Sequence, residues 1–278
     1  MTQPDQFDSA DIRQSASIAT LKFLPQCEST NDSAIAWIRE EVVATPALVL
    51  TAYQTHGRGQ QNRTWVSVQG NLAATWIFSG PGQTDERAVW AGRLSIATAL
   101  AIYDTIAQSL GNASENLFVK WPNDIYISNR KVAGVLIETI PGTVCSFGVI
   151  GIGINVNKPA GETDPDFVDV AEIATSIRQH AGRDTSLTEL VISMSRNLIR
   201  RIESLANGNN GWAAEYNSRL MYINRRVTIQ SSSPQVTGWC RGINFNGAMQ
   251  IETTSGFQFV TSGRLIPDTQ SIADGPAF

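Results

Sequence analysis

Cysteine and histidine are scarce in this chain of 278 residues, which holds three of the first and two of the second. Cys27, Cys145 and Cys240 are odd in number, far apart and without close Cys or His neighbours, which argues against a disulfide framework and against a structural zinc site. A reducing cytoplasm is the compartment that fits. His56 and His180 stand in no triad context and no Gly-x-Ser-x-Gly elbow occurs, so a Ser-His-Asp hydrolase is disfavoured. HExxH and EF-hand loops are also absent, so no metal held by protein ligands is expected; a divalent ion would arrive with a nucleotide, as Mg²⁺ does. Positive charge is not in excess: the formal net charge of -4 opposes the broad basic footprint that duplex DNA requires. The start, MTQPDQFDSADIRQSAS, has no basic stretch followed by an apolar one, which disfavours a signal peptide. The longest apolar run, FGVIGIGINV, is broken by glycine and too short to span a bilayer.

What is present is an ordinary globular composition, 42% hydrophobic and 17% charged, in a chain long enough for one large domain and a small appendage. The polar stretch 1–17 is expected to be disordered. Residues 18–220 read as a large α+β domain with a mixed central sheet and packed helices, and 221–270 as a small β domain. Ile18 to Leu24 and Leu48 to Tyr53 are strand-like, and the helix between them is predicted to carry Ala34, Ile35, Ile38 and Val42 on one face. Asn71 to Phe78 is a further strand, and an Ala-rich helix over Glu86 to Leu110 ends at Gly111 as a C-cap. LFVKW, IYI and KVAGVLIE are strands separated by turn chemistry at Asn123-Asp124 and Ser128-Asn129, and CSFGVIGIGINV is a buried strand. KPAGETDPDF reads as a loop. Ser186 with Glu189 forms a capping-box pattern for a helix with the stripe Leu187, Leu190, Val191, Met194, Leu198, Ile202 and Leu205. After a short helix at GWAAEYNSRL, the segments RRVTIQ, VTGWCRGI, GAMQIE and FQFVT are short strands between Ser, Pro and Gly turns, the texture of a small β-barrel.

Four stretches carry polar chemistry. GRGQQNRTW, residues 57–65, combines glycines that admit close backbone approach with Arg58 and Arg63, planar donors suited to phosphate and carboxylate. By itself it is neither a P-loop nor a dinucleotide fingerprint, and a polar surface loop explains it as well. KWPNDIYISNRKVAGVLIE places Lys120 and Lys131 near Asp124. By spacing alone this is a turn with a solvated lysine; the sharper reading sets Lys131 among anions with Asp124 orienting an amine. In ESTND, Ser29 or Thr30 can cap a helix or hydrogen-bond a neutral polar ligand. GIGINVN lacks the third glycine of a dinucleotide loop and reads as buried strand.

In this order, ESTND, TAYQTHGRGQQNRTW, VKWPNDIYISNRKVAGVLIE, GIGINVN and a terminal GAMQIETTSGFQFVTSGR resemble the biotin protein ligase family, over about Phe23 to Arg264. The resemblance implies an α+β catalytic domain over 18–220 and a C-terminal SH3-like barrel over 221–270. It also implies a two-step reaction in which ATP and biotin form biotinyl-5'-AMP and a carrier-domain lysine then takes the biotinyl group. Ser29, Thr30, Asn31 and Gln54 would line the biotin ureido side, with Gly57, Arg58, Gly59 and Gly134 completing the biotin pocket. Lys131 would hold the biotin carboxylate and the α-phosphate, and Arg58, Arg63, Trp65 and Asn155 would face the nucleotide. Lys131, Arg58 and Asp124 are the catalytic candidates, Asp124 as the group that orients the acceptor amine. ATP, Mg²⁺ and biotin are the expected small molecules, and the carrier domain of a biotin-dependent carboxylase, such as acetyl-CoA carboxylase, is the expected protein partner, without DNA or membrane. An exposed sheet edge can serve a homodimer or dock the carboxylase.

Family members commonly have a further arginine where this chain has Gln60, and often a glycine near Asn62, which implies a weaker grip on the adenylate here or compensation by Arg63. Some relatives carry an N-terminal helix-turn-helix domain, and the roughly 20 residues before the first strand are too few for one, so a monofunctional ligase is expected. Two alternatives stay open. A lipoate ligase shares the adenylation logic but has an Arg-Arg-x-x-Gly-Gly-Gly and His-Asp pattern missing here, and a catalytically impaired biotin sensor would retain only the pocket.

Overall fold

Alternation decides the architecture, because successive residues of a strand face opposite sides of a sheet. In a computed structural model, residues 6–82, 84–142, 145–159, 173–206, 211–230 and 235–268 are described. Strands β1 (Thr20–Leu24), β2 (Ala47–Thr51), β3 (Leu72–Gly80), β4 (Leu117–Lys120), β5 (Asp124–Ile127), β6 (Arg130–Ile140) and β7 (Ser146–Ile154) form one sheet in the order β1-β2-β3-β7-β6-β5-β4. β1 and β2 run parallel, and the remaining neighbours antiparallel. Ser128 and Asn129 both take positive φ in the tight turn between β5 and β6, the geometry that short hairpins favour.

One face of the central strands is apolar. Ile150, Ile152 and Ile154 of β7 lie beside Trp76, Ala74 and Leu72 of β3 and beside Ile137, Val135 and Ala133 of β6. This face packs into the main core with the long helix α3 (Thr84–Leu110), whose Leu94, Ala97, Leu100 and Ala101 are buried. The opposite face carries Ile77 and Val149 at one end, covered by helix α2 (Thr30–Glu40) through Ala34 and Trp37. At the other end it carries Ala73, Thr75, Gly151, Gly153 and Gly134, where side chains are small or missing and a hollow forms.

Two expectations are corrected. The stretch predicted as disordered over 1–17 contains helix α1 (Ser9–Ser15), capped by Asp8, whose side chain accepts from the backbone N–H groups of Ala10 and Asp11. A single apolar anchor, fully buried Ile12, docks it, too little periodicity to register in a polar sequence. Val42 lies past the end of α2 and is fully exposed, whereas Trp37 takes the buried position on that face.

Short helix α4 (Ile177–Ala181) carries a complete capping box, Ser176 with Gln179. Helix α5 (Leu187–Ala206) starts with the Glu189 backbone N–H donating to Ser186, and buries Leu187, Leu190, Val191, Met194 and Leu198 beside α3. Helix α6 (Trp212–Ser218) leads to β8 (Arg226–Gln230), β9 (Val236–Ile243), β10 (Met249–Thr253), β11 (Gly256–Val260) and β12 (Arg264–Pro267), an antiparallel sheet ordered β11-β10-β9-β8-β12. Val227, Ile229, Cys240, Met249, Ile251 and Leu265 fill its core. It is tied to the rest by Trp121 Nε1 donating to the Gly247 carbonyl at 3.4 Å and by paired bonds between Asn217 and the Ile243 backbone. Most of the KPAGETDPDF loop lies outside the described residues. No described helix is long and apolar enough to cross a membrane.

Candidate active site

The hollow left by the small residues is a cavity of about 260 Å³. It is bounded by the start of α2, the 57–65 loop, the floor of β6 and β7, the turn between β4 and β5, and β12 of the C-terminal sheet. Glycine makes the floor possible. A Cβ on Gly153 would drive into the Trp65 indole, so that position must stay bare for the ring to lie on the sheet, and one on Gly134 would come within 2.9 Å of Lys131 Nζ and displace the end of that side chain.

One end is polar and neutral. Ser29 caps α2, its Oγ accepting weakly from the Asp32 backbone at 3.5 Å. Gln54 Oε1 accepts from both the backbone N–H and the hydroxyl of Thr30, at 2.8 and 3.0 Å. That commits the oxygen of the Gln54 amide, so its NH₂ end is what remains for a ligand's acceptor, and the Thr30 oxygen remains for a ligand's donor. Ser29, Thr30, Asn31 and Gln54 are all buried. Asn31 is turned to the protein: its Nδ2 donates to Glu138 Oε2 at 2.8 Å and its Oδ1 accepts from Thr75.

The other end is cationic. Arg58, Arg63, Lys120, Lys131 and Arg264 line it. Lys131 Nζ lies 2.8 Å from Asp124 Oδ1, bringing together the lysine and carboxylate singled out in the sequence. Arg58 differs from expectation. Its Nη2 is 2.8 Å from Asp32 and 2.7 Å from Glu138, so its charge is already matched and it fastens the loop instead of standing open to an anion. Among the described residues Arg63, Lys120 and Arg264 have no ion-pair partner, and they form the uncompensated positive wall. Burial lowers the Lys120 pKa, Arg264, Lys131 and Arg63 lower it further, and Asp124 opposes them. The Lys120 ammonium sits 5.0 Å from the Tyr126 ring centroid.

Lys120 and Arg264 were not among the expected site residues. Lys120 faces Asp124 across the β4–β5 pair, a register that the spacing KWPND contains in principle. Arg264 offered no local signal at all. Among the expected residues, Gly59, Trp65, Gly134 and Asn155 line the cavity, whereas Gly57 lines a shallower depression outside it with Thr55 and His56. Gly57 serves loop closure: its carbonyl accepts from the Trp65 backbone N–H at 2.8 Å, leaving no room for a Cβ. The loop is pinned again at Gln60, whose Nε2 donates to Asn123 Oδ1 at 3.0 Å and to the Val135 carbonyl at 3.2 Å.

With this geometry in place, similarity to known proteins becomes informative. Residues 23–155 match the sequence profile of the Biotin/lipoate A/B protein ligase family. The chain is 28% identical over 247 residues to the Biotin--[acetyl-CoA-carboxylase] ligase of Mycobacterium tuberculosis, covering 88% of each chain. It is 28% identical over 248 residues to the enzyme of the same name from Paracoccus denitrificans, covering 87% of this chain and 98% of that one. Its fold matches that of the biotin protein ligase from Aquifex aeolicus in complex with biotin and ATP, with a TM-score of 0.71 at 22% identity over 89% of this chain and 97% of that one. The chain is thus similar to the biotin/lipoate protein ligase family over residues 23–155. Over most of its length it is similar to proteins named as biotin ligases.

Proposed function

We propose that this chain is a biotin–[biotin carboxyl carrier protein] ligase, which forms biotinyl-5'-AMP from biotin and ATP and passes the biotinyl group to a lysine of a carboxylase carrier domain. The observation that carries this reading is a single cavity with a buried neutral hydrogen-bonding end at Ser29, Thr30 and Gln54 and a cationic end at Lys131, Lys120, Arg63 and Arg264. The neutral end suits a ureido ring, with Gln54 NH₂ donating to its carbonyl and Thr30 Oγ accepting from its N–H. The cationic end offsets the repulsion between a carboxylate and a triphosphate.

In the first step a biotin carboxylate oxygen attacks the α-phosphorus and pyrophosphate leaves. Lys131 bridges the attacking carboxylate and the α-phosphate, while Lys120, Arg63 and Arg264 take up the charge of the departing group. Mg²⁺ held by the nucleotide phosphates would supply charge neutralisation there. In the second step the acceptor amine attacks the carbonyl of the mixed anhydride and AMP leaves. Asp124 orients the amine and receives its proton. Residues 18–220 carry most of this chemistry, and 221–270 complete it through Arg264. The net charge of -4 and the few cysteines support a cytoplasmic ligase that does not bind DNA. The open edge at β1 is where a second copy would pair.

The test is the mass of a purified biotin carrier domain after incubation with the protein, MgATP and either biotin or lipoate. A biotin-sized gain that vanishes without ATP is expected. Biotin binding with no gain would mark a sensor, and a gain only on a lipoyl domain with lipoate would mark a lipoate ligase. Gln60 sets a further expectation. Its two neutral hydrogen bonds hold the loop where relatives commonly use a charged donor, a difference of about 1 to 2 kcal/mol. Free biotinyl-AMP should therefore appear severalfold more slowly from Gln60→Arg than from the native chain, and faster from Gln60→Ala. Equal release by Gln60→Arg and the native chain would contradict this role.

A further inference from the structure

We propose that Tyr216 is a positioning residue for the transfer step, its buried hydroxyl fixing the turn from which Asp124 reaches the acceptor amine. This rests on the ligase reading, and within it on the role given to Asp124. The turn runs from Trp121 to Asp124 and joins β4 to β5, with Trp121 and Asn123 buried. Each of its first three residues is held by a different part of the molecule. Trp121 Nε1 donates to the Gly247 carbonyl, between β9 and β10, at 3.4 Å; the Tyr216 hydroxyl donates to the Pro122 carbonyl at 2.9 Å; and Gln60 Nε2 of the 57–65 loop donates to Asn123 Oδ1 at 3.0 Å. The fourth residue, Asp124, is left to face the cavity, where it meets Lys131.

The three holds differ in quality. The Trp121 bond is long for an N–H donor, and Gln60 Nε2 divides its donation between Asn123 and the Val135 carbonyl. The Tyr216 bond is short, and its donor is fully buried. Helix α6, which carries Tyr216, is itself fastened on three sides. Asn217 forms paired bonds with the Ile243 backbone of β9, and Arg219, just past the helix end, reaches Asp104 of α3 at 3.0 Å. The chain there also runs beside β4, the Val119 N–H donating to the Arg219 carbonyl at 2.9 Å and the Met221 N–H to the Val119 carbonyl at 2.8 Å. Tyr216 thus refers the turn to the seam between the two sheets.

The hydroxyl acts by donation and not as an acid or base. Tyr216 does not line the cavity, and burial raises its pKa well above the ordinary phenol value, with Cys240 and then Asp124 acting in the same direction, so it keeps its proton. Phenylalanine would fill the same space but remove the donor to the Pro122 carbonyl, and a buried carbonyl deprived of its donor shifts to regain one. Asp124, the first residue of β5, moves with the turn. Lys131 does not, because it is paired with Tyr126 inside β6 and its carbonyl accepts from the Thr175 N–H at 2.9 Å. Loss of the Tyr216 hydroxyl therefore falls on transfer and spares adenylate formation.

The test follows the two half-reactions separately: pyrophosphate release from biotin and MgATP, and transfer from preformed biotinyl-AMP to a biotin carrier domain over a range of carrier concentrations. Tyr216→Phe should lower the maximal transfer rate by about tenfold, with the half-saturating carrier concentration and the rate of pyrophosphate release each changed by less than about twofold. Pyrophosphate release by the same sample counts the folded protein, so a variant that is merely destabilised slows both steps equally, and that result would overturn the proposal. In an Asp124→Ala background, itself slowed in transfer, adding Tyr216→Phe should cost less than about a further twofold, because its effect runs through the missing carboxylate. A further loss of about tenfold in that background would show that Tyr216 acts by another route and would also overturn the proposal. A native chain that makes no biotinyl-AMP would overturn the ligase reading and this inference with it, whereas a working native ligase whose Tyr216→Phe variant transfers at the native rate removes Tyr216 alone.

Discussion

Lys131→Ala is expected to slow biotinyl-AMP formation by about two to three orders of magnitude, roughly 3 to 4 kcal/mol of lost transition-state stabilisation. The lysine stands at the seam between the neutral and cationic ends of the cavity, 2.8 Å from Asp124, with the bare backbone of Gly134 beneath it. Arg58 is held by Asp32 and Glu138 and is not free to take its place. Lys131→Arg should recover only part of the rate, since a planar guanidinium needs more room than an ammonium packed against Gly134. Pyrophosphate release from biotin and MgATP measures the loss, with circular dichroism to show that the variant is folded. Release at the native rate by Lys131→Ala would remove it from the reaction.

Asp104→Ala should produce the largest loss of stability, about 3 to 5 kcal/mol, because it leaves arginines gathered without their shared carboxylate. The Asp104 side chain is only 12% exposed and lies in range of three guanidinium groups: Arg201 at 2.6 Å, Arg219 at 3.0 Å and Arg200 at 3.3 Å. Arg201 and Arg219 both reach Glu215 as well, and Arg219 stacks on Tyr103, so the cluster joins α3, α5 and α6 at the passage into the C-terminal sheet. A thermal midpoint lower by about 10 °C is expected, and a drop of less than about 3 °C would show that the arginines relax into solvent. The same cluster sets an acid response. The Arg201 hydrogen bond lowers the Glu215 pKa, burial opposes it, and the attraction of Arg201, Arg219 and Arg200 lowers it further. Its contribution is therefore present above the unfolded carboxylate pKa and is lost as pH falls through the folded value, and Glu215→Gln should flatten that part of the pH–stability curve.

The elements most legible in the sequence are those whose causes lie within a few residues. Ser29 is followed by the helix it caps, Ser128-Asn129 turns the chain between two strands, and the stripe from Leu187 to Leu198 is the buried face of α5. Where the cause is a distant partner, the sequence carries no local sign of it. Ile12 anchors a helix in a stretch without apolar period, and Val42 continues a hydrophobic pattern that its backbone does not follow. Arg58 looked like a free cation because neither Asp32 nor Glu138 could be placed beside it.

The site divides in the same way. The order of the motifs, with their glycines, hydroxyls and lysines, was enough to name a family and to propose Thr30, Gln54, Lys131 and Asp124 as its working residues. Those roles came with the resemblance, whereas caps, turns and alternation follow from local chemistry, since they depend on near neighbours. Which charges are spent and which remain available was decided only by the fold. Sheet pairing sets Glu138 beside Arg58 and Asn31, lays Trp65 across Gly153, and brings Arg264 from the last described strand to the cavity wall. Electrostatic compensation acts through space, and contacts across a sheet or between two sheets leave no period in the chain.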